Sequence, residues 1–148
     1  MTAAVTAKYE ELYLEVEFTA SSGTYTKVCG LTDLTISYTN NVETTEVPDC
    51  DDESLPHTVE RAVKSNEWSA SGAGVWAQTS HENMFQWWKG GAAKNVRIGY
   101  TKASVGDVEL VAGAAILASL EHARAKGQKV TASVSIVSSG VVTTTDQT

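Results

Sequence analysis

The chain has little of what small domains use to staple themselves: two cysteines, Cys29 and Cys50, and two prolines, Pro48 and Pro56, in 148 residues. Neither cysteine stands in a CxxC or Cys/His ligand spacing, which leaves no zinc or dithiol motif, and both are expected as reduced thiols. No run approaches about 18 uninterrupted apolar residues, and no basic stretch followed by an apolar core opens the chain, so no membrane partner is expected. Positive charge is scarce. Eleven Lys and Arg against eighteen Asp and Glu leave a formal charge of −7, which argues against a surface built to neutralise phosphate or anionic lipid. Lys89, Lys94, Arg97 and Lys102 cluster modestly but carry no RNP-like aromatic motif. GxSxG, HExxH and phosphate-loop patterns are missing, and His57, His81 and His122 share no metal-ligand spacing. The acids Asp49, Asp51, Asp52 and Glu53 lack the D-x-[DN]-x-[DN]-G frame of a calcium loop. No enzyme activity, metal or cofactor is expected.

What is present is alternation. An apolar content of 42% suits one globular domain spanning 1–148, able to bury roughly two thirds of its unfolded surface. Residues 1–10 read as a flexible arm. Leu12, Leu14, Val16 and Phe18 then alternate with Tyr13, Glu15 and Glu17, the signature of a strand with one wet, acidic face. Further strands follow around Tyr25–Val28, Leu34–Tyr38, Trp68–Ala77, Val96–Tyr100, Val108–Val111, Ile116–His122 and Val130–Ile136. The alanines and leucines of 112–126 would also suit a helix, but strand is preferred. In the Trp68–Ala77 segment Gly72 and Gly74 share a face with Trp68, Ala70 and Trp76, which permits a close neighbour. One helix of about ten residues is expected between a Thr79/Glu82 capping box and Gly90-Gly91, packing through His81, Met84, Phe85 and Trp88. Residues 141–148 read as a loose, threonine-rich tail. About seven strands and one short helix imply a mainly β fold, a β-sandwich or barrel with the helix laid on it.

Residues 39–56 break the pattern. Asn40, Asn41, Glu43, Glu46, Asp49, Asp51, Asp52 and Glu53 crowd into a stretch with no Lys or Arg from Val28 to Glu60. Such density of like charge predicts a long acidic loop, mobile in the isolated subunit.

In order and spacing the chain resembles the tail tube proteins of long-tailed bacteriophages and of related gene-transfer particles. The resemblance rests on the first strand Leu12–Phe18 and on Thr24-Tyr25-Thr26-Lys27-Val28-Cys29-Gly30-Leu31, a step into a strand ending in the polar Ile36-Ser37-Tyr38-Thr39. It continues through the small-residue strand Trp68-Ser69-Ala70-Ser71-Gly72 and the closing strand from Val130 to Val141. It implies hexameric rings whose subunits lend strands to a continuous inner barrel, stacked into a hollow tube that delivers DNA. On that resemblance the 39–56 loop would be the inter-ring contact, and Glu15, Glu17, Ser133 and Ser135 would be candidate lumen residues. Partners would be further copies of the chain, tail tip or baseplate proteins, a tail terminator, and a tape measure protein and DNA held in the lumen without specific binding. The expected location is the virion tail, assembled in the host bacterial cytoplasm. The immunoglobulin-like C-terminal domain of some relatives is not expected. Two alternatives remain open: the tube protein of a contractile secretion apparatus, and a small sugar-binding β-sandwich using Trp87 or Trp76.

Overall fold

A computed structural model describes residues 2–4, 6–100 and 105–146; Met1, Val5, residues 101–104 with the basic Lys102, Gln147 and Thr148 lie outside the described residues. Among the described residues, seven strands and one α-helix follow one another as β1 (Leu12–Val16), β2 (Thr26–Lys27), β3 (Leu31–Val47), β4 (Thr58–Val75), α1 (Gln78–Gly90), β5 (Lys94–Tyr100), β6 (Val108–Ala123) and β7 (Thr131–Asp146). All pairings are antiparallel, in one sheet of order β2-β1-β5-β6-β7-β4-β3.

Register explains the core. Leu14 lies opposite Ile98 and Val16 opposite Val96; Ile98 in turn faces Val111, and Ile136 sits between Leu117 and Ala70. Directly paired residues share a face, so these side chains form one apolar surface and are buried together with Trp68 and Val134. The sheet rolls to close over that surface. The Tyr38 and Tyr100 hydroxyls meet at 2.6 Å although their strands are not neighbours, and the Tyr9 hydroxyl donates to the Leu31 carbonyl at 2.8 Å. Partial burial, then the Tyr100 hydroxyl, pushes the Tyr38 phenol well above its ordinary pKa. The glycines of β4 behave as their placement predicts: a Cβ at Gly72 would press on Leu31, and one at Gly74 would strike the Gly30 carbonyl.

Several expectations change. Helix α1 starts at Gln78 after Ala77, with no side-chain cap, so the Thr79/Glu82 box does not form. Its buried residues are Ser80, Met84 and Trp87, whereas Phe85 and Trp88 are exposed; the packing stripe is rotated from the expected one and keeps only Met84 fully. Trp87 sits edge-on to Phe18 and donates its indole N–H to the Ala92 carbonyl at 3.0 Å. The flexible arm is tied down at its end, where Tyr9–Glu11 form a 3-10 turn. The stretches 108–111 and 116–122 belong to one strand with register shifts at Gly113/Ala115 and Leu117/Ser119. The tail is not loose up to Asp146: Val142–Asp146 pair with β6 as far as Val108.

The largest correction concerns 39–56. Its first half is strand, because β3 runs to Val47 and pairs with β4 back to Thr58, with one register shift between Asn41 and Val42. Only 48–57 form the connection. β4 pairs with β7 from Ser69 to Val75 alone, so the two hairpins separate at Trp68, whose backbone N–H donates to the Ser138 hydroxyl at 3.0 Å. Beyond this fork, Thr39–Val47 and Thr58–Glu67 continue as a two-stranded arm, roughly 30 Å long at about 3.4 Å per residue.

Candidate assembly surfaces

Three surfaces carry what the core does not use. The first is the other face of the sheet. Asp33, Thr35 and Ser37 on β3, Ser69, Ser71 and Ala73 on β4, Ser133 and Ser135 on β7, and Ser119 and Glu121 on β6 point there by register. The residues are small, so a shallow trough runs across them, lined by Asp33, Thr35, Ser71, Ser133, Ser135 and Glu121 among others. The Ser133 hydroxyl donates to the Glu121 carboxylate at 3.3 Å.

Glu15 and Glu17 share this face but are not wet. Their residues are 8% and 6% exposed. Arg97 donates to Glu15 at 3.3 Å while its guanidinium stacks 4.3 Å from the Tyr25 ring. Glu17 accepts from the backbone of Ser21 and Gly23 and from the Asn95 amide, and so organises the turn after β1. Both acids serve the subunit's own structure. Exposed acids of the face include Asp33 and Glu121, which alternation of apolar residues does not single out although each lies in phase with a serine or threonine of its strand.

The second surface is the arm. Pairing puts Val42 with Val63, Thr44 with Arg61 and Glu46 with Val59 on one side, and Glu43 with Ala62 and Thr45 with Glu60 on the other. Tyr38, Val42, Val59 and Val63 are about half exposed, an apolar stripe that prolongs the core side of the sheet outward from the Tyr38–Tyr100 contact. Among the described residues the outer backbone edges of both arm strands are unpaired, and such edges invite another chain. Asn41 donates to the Ser65 hydroxyl at 3.0 Å near the fork, and Glu46 approaches His57 at 3.9 Å near the tip. At the tip, the Asp49 carboxylate accepts the backbone N–H groups of Asp51 and Asp52 at 2.8 and 3.0 Å. The Asp52 carboxylate accepts the Ser54 hydroxyl at 2.5 Å and the Ser54 N–H at 3.0 Å. These bonds lower both carboxyl pKa values: Asp49 chiefly through the Asp52 N–H, then that of Asp51; Asp52 chiefly through the Ser54 hydroxyl, then its N–H. Ser54, Asp51 and Glu53 share the exposed turn.

The third surface is the outer side of α1. Phe85 and Trp88 lie exposed with ring centroids 5.8 Å apart, and His81 packs between Trp76 at 5.3 Å and His122 at 4.9 Å. Trp87 is 1% exposed and cannot serve as a sugar platform; Trp76 is taken up by the His81 contact. Cys29 and Cys50 are free and exposed. Among the described residues no three His, Cys, Asp or Glu side chains gather as a metal site, and no helix is long and apolar enough to cross a membrane.

A rolled antiparallel sheet with one helix, a polar outer face and a projecting hairpin suits a subunit completed by neighbours. The family model for phage tail tube proteins matches residues 7–144. The chain belongs to that family. Tail tube architecture is equally visible in solved structures. A chain from the tail of an empty GTA particle with C6 symmetry superposes with a TM-score of 0.75 at 19% identity, covering 95% of this chain and 99% of that one. The SPP1 tail tube gives a TM-score of 0.69 at 12% identity, over 96% of this chain and 80% of the other. A chain of the sheath-tube complex of an extracellular contractile injection system, PVC, gives 0.59 at 11% identity, over 96% and 93%. At such identities the likeness is one of fold. No curated protein matches the sequence. The family is structural, and a tube-forming role follows from membership in it.

Proposed function

We propose that six copies of this tail tube protein close into a ring, that rings stack into a hollow tube, and that the trough face lines the channel. The observation that carries the reading is the arm: an ordered hairpin with two free edges and an exposed Val42/Val59/Val63 stripe is out of place on a solitary molecule. The sixfold count is supported by the C6 symmetry of the particle tail that shares the fold. On this reading Asn40, Asn41, Glu43 and Glu46 belong to the arm that spans to the adjacent ring, and Asp49, Asp51, Asp52 and Glu53 to its tip. Ser133 and Ser135 line the lumen together with Asp33 and Glu121. The trough's small hydroxyl side chains and carboxylates offer DNA phosphates no cation to hold, and Arg97 and Lys27 elsewhere on that face are engaged by Glu15 and Tyr13, so DNA and a tape measure protein pass without specific binding. Growth starts on tail tip or baseplate proteins and stops at a terminator, in the host bacterial cytoplasm, and the product is part of the virion. The protein performs no catalysis.

The test is electron microscopy of the concentrated protein beside a variant in which Val42–Lys64 is replaced by Asn-Gly. That junction joins the paired residues Asn41 and Ser65 through a two-residue hairpin turn. Hollow fibres from the parent and folded, fibre-free particles from the variant are expected. Equal fibres from both, or dispersed monomers from the parent at every concentration, overturn the reading. A tube of a contractile injection apparatus is the second reading, favoured by the likeness to the PVC complex; soluble closed rings formed without any template would select it.

A further inference from the structure

The two ends of the sheet carry opposite charge. β4 runs from the arm tip at Thr58 to Val75, which pairs with Thr131 at the end of the β6–β7 turn. The tip and that turn are therefore opposite poles, separated by a strand of 18 residues, roughly 60 Å at about 3.3 Å per residue. The turn reads Ala123-Arg124-Ala125-Lys126-Gly127-Gln128-Lys129-Val130, with no acid between Glu121 and Val130. Arg124, Lys126 and Lys129 are exposed, and none has a salt bridge within the described residues. Three other cations are engaged inside the subunit: Lys94 donates to the Phe18 carbonyl at 2.8 Å, Arg97 holds Glu15, and Lys27 lies 4.8 Å over Tyr13.

Both poles are shaped before any encounter. The basic turn is closed by Gln128 N–H donating to the Ala125 carbonyl at 3.1 Å, with Gly127 at φ 81°, and is pinned to β4 by Trp76 N–H donating to Val130 at 2.9 Å. The tip is held by its own Asp49 and Asp52 bonds. Apolar patches match as well: Leu55 is 47% exposed at the tip, and Val75 and Val130 are 44% and 39% exposed beside the cations. Preorganised, charge-complementary ends favour head-to-tail contact over like-pole contact.

We infer that the Arg124/Lys126/Lys129 turn is the receptor for the Asp49–Leu55 tip of a second copy of this chain, so that ring polarity is set by charge. The inference rests on the tube reading and adds the receiving surface to it. Three charge-reversal variants test it: R124E/K126E/K129E, D49K/D51K/D52K/E53K, and the two sets combined. Sedimentation at about 0.1 M salt measures the concentration at which fibres form, and circular dichroism checks folding. Each single set is expected to raise that concentration about tenfold or more while leaving folded rings, and the combined set to restore fibres. The parent should lose fibres as salt approaches about 1 M, where screening reaches roughly 3 Å. Parent-like fibres from the basic-turn variant, or no restoration in the combined variant, overturn the receptor while leaving the tube reading intact. A parent that never forms fibres overturns both.

Discussion

Two adjacent tryptophans of α1 differ sharply in burial. Trp87 is 1% exposed and Trp88 is 51% exposed, one helical position apart. The Trp87 indole stacks edge-on against Phe18 at 6.3 Å and donates to the Ala92 carbonyl at 3.0 Å, just past the αL residue Gly91 that ends the helix. Trp87→Ala removes the whole indole from the seam between α1 and the sheet and leaves the Ala92 carbonyl without that donor. Truncations of this kind cost about 3–5 kcal/mol, a large share of the roughly 5–15 kcal/mol that holds such a domain together. Trp88→Ala loses one exposed ring contact with Phe85 and should cost about 0.5 kcal/mol or less. Urea unfolding followed by far-UV circular dichroism, at concentrations where the protein stays dispersed, measures both. The expected midpoint of Trp87→Ala falls far below the parent and that of Trp88→Ala close to it. A larger loss for Trp88→Ala would refute an α1 orientation that buries Trp87 and exposes Trp88.

Tyr38→Phe deletes the 2.6 Å bond to Tyr100 that closes the roll; it should cost about 0.5–1.5 kcal/mol by the same unfolding assay. The tip should be acid-labile: Asp49 and Asp52 have folded pKa values below the ordinary 3.8. Their contribution to turn order is therefore present above that value and lost as pH falls through the lowered folded values. Amide NMR shifts of Asp51, Asp52 and Ser54 that stay constant from neutral pH down to about 5 and then move together would agree; movement near pH 7 would contradict the carboxylate bonds.

The core was legible because its strands alternate cleanly. Leu12, Leu14 and Val16, Val96 and Ile98, and Val134 and Ile136 fall on one face in the structure as their spacing predicts. The arm was hidden by its acids. Glu43, Glu46 and the Asn40-Asn41 pair are poor strand formers, but Val42 meets Val63 and Thr44 meets Arg61 across the hairpin, and cross-strand pairing outweighs intrinsic preference. The β-branched Val59 and Val63, two apart from Arg61, were the available signal. The tail Val141–Thr145 is likewise β-branched, and β6 supplies the partner. Helix phase could not be read from periodicity alone. Met84 fits both stripes, and the choice of Trp87 over Trp88 depends on where Phe18 and Ala92 lie in space. The wet face expected for Glu15 and Glu17 is absent because Arg97 and the Ser21–Gly23 turn fold over it, contacts made across long or irregular segments that alternation does not encode.

The fork at Trp68 also decides how the molecule bears mechanical load. β4 belongs to the arm over Thr58–Glu67 and to the β7 pairing over Ser69–Val75, so a pull on the tip is passed along one uninterrupted strand into the body. Antiparallel hydrogen bonds lie across that direction and must slide as a group, whereas a pull at right angles would unzip them one by one. A filament threaded by such strands resists stretching far better than peeling.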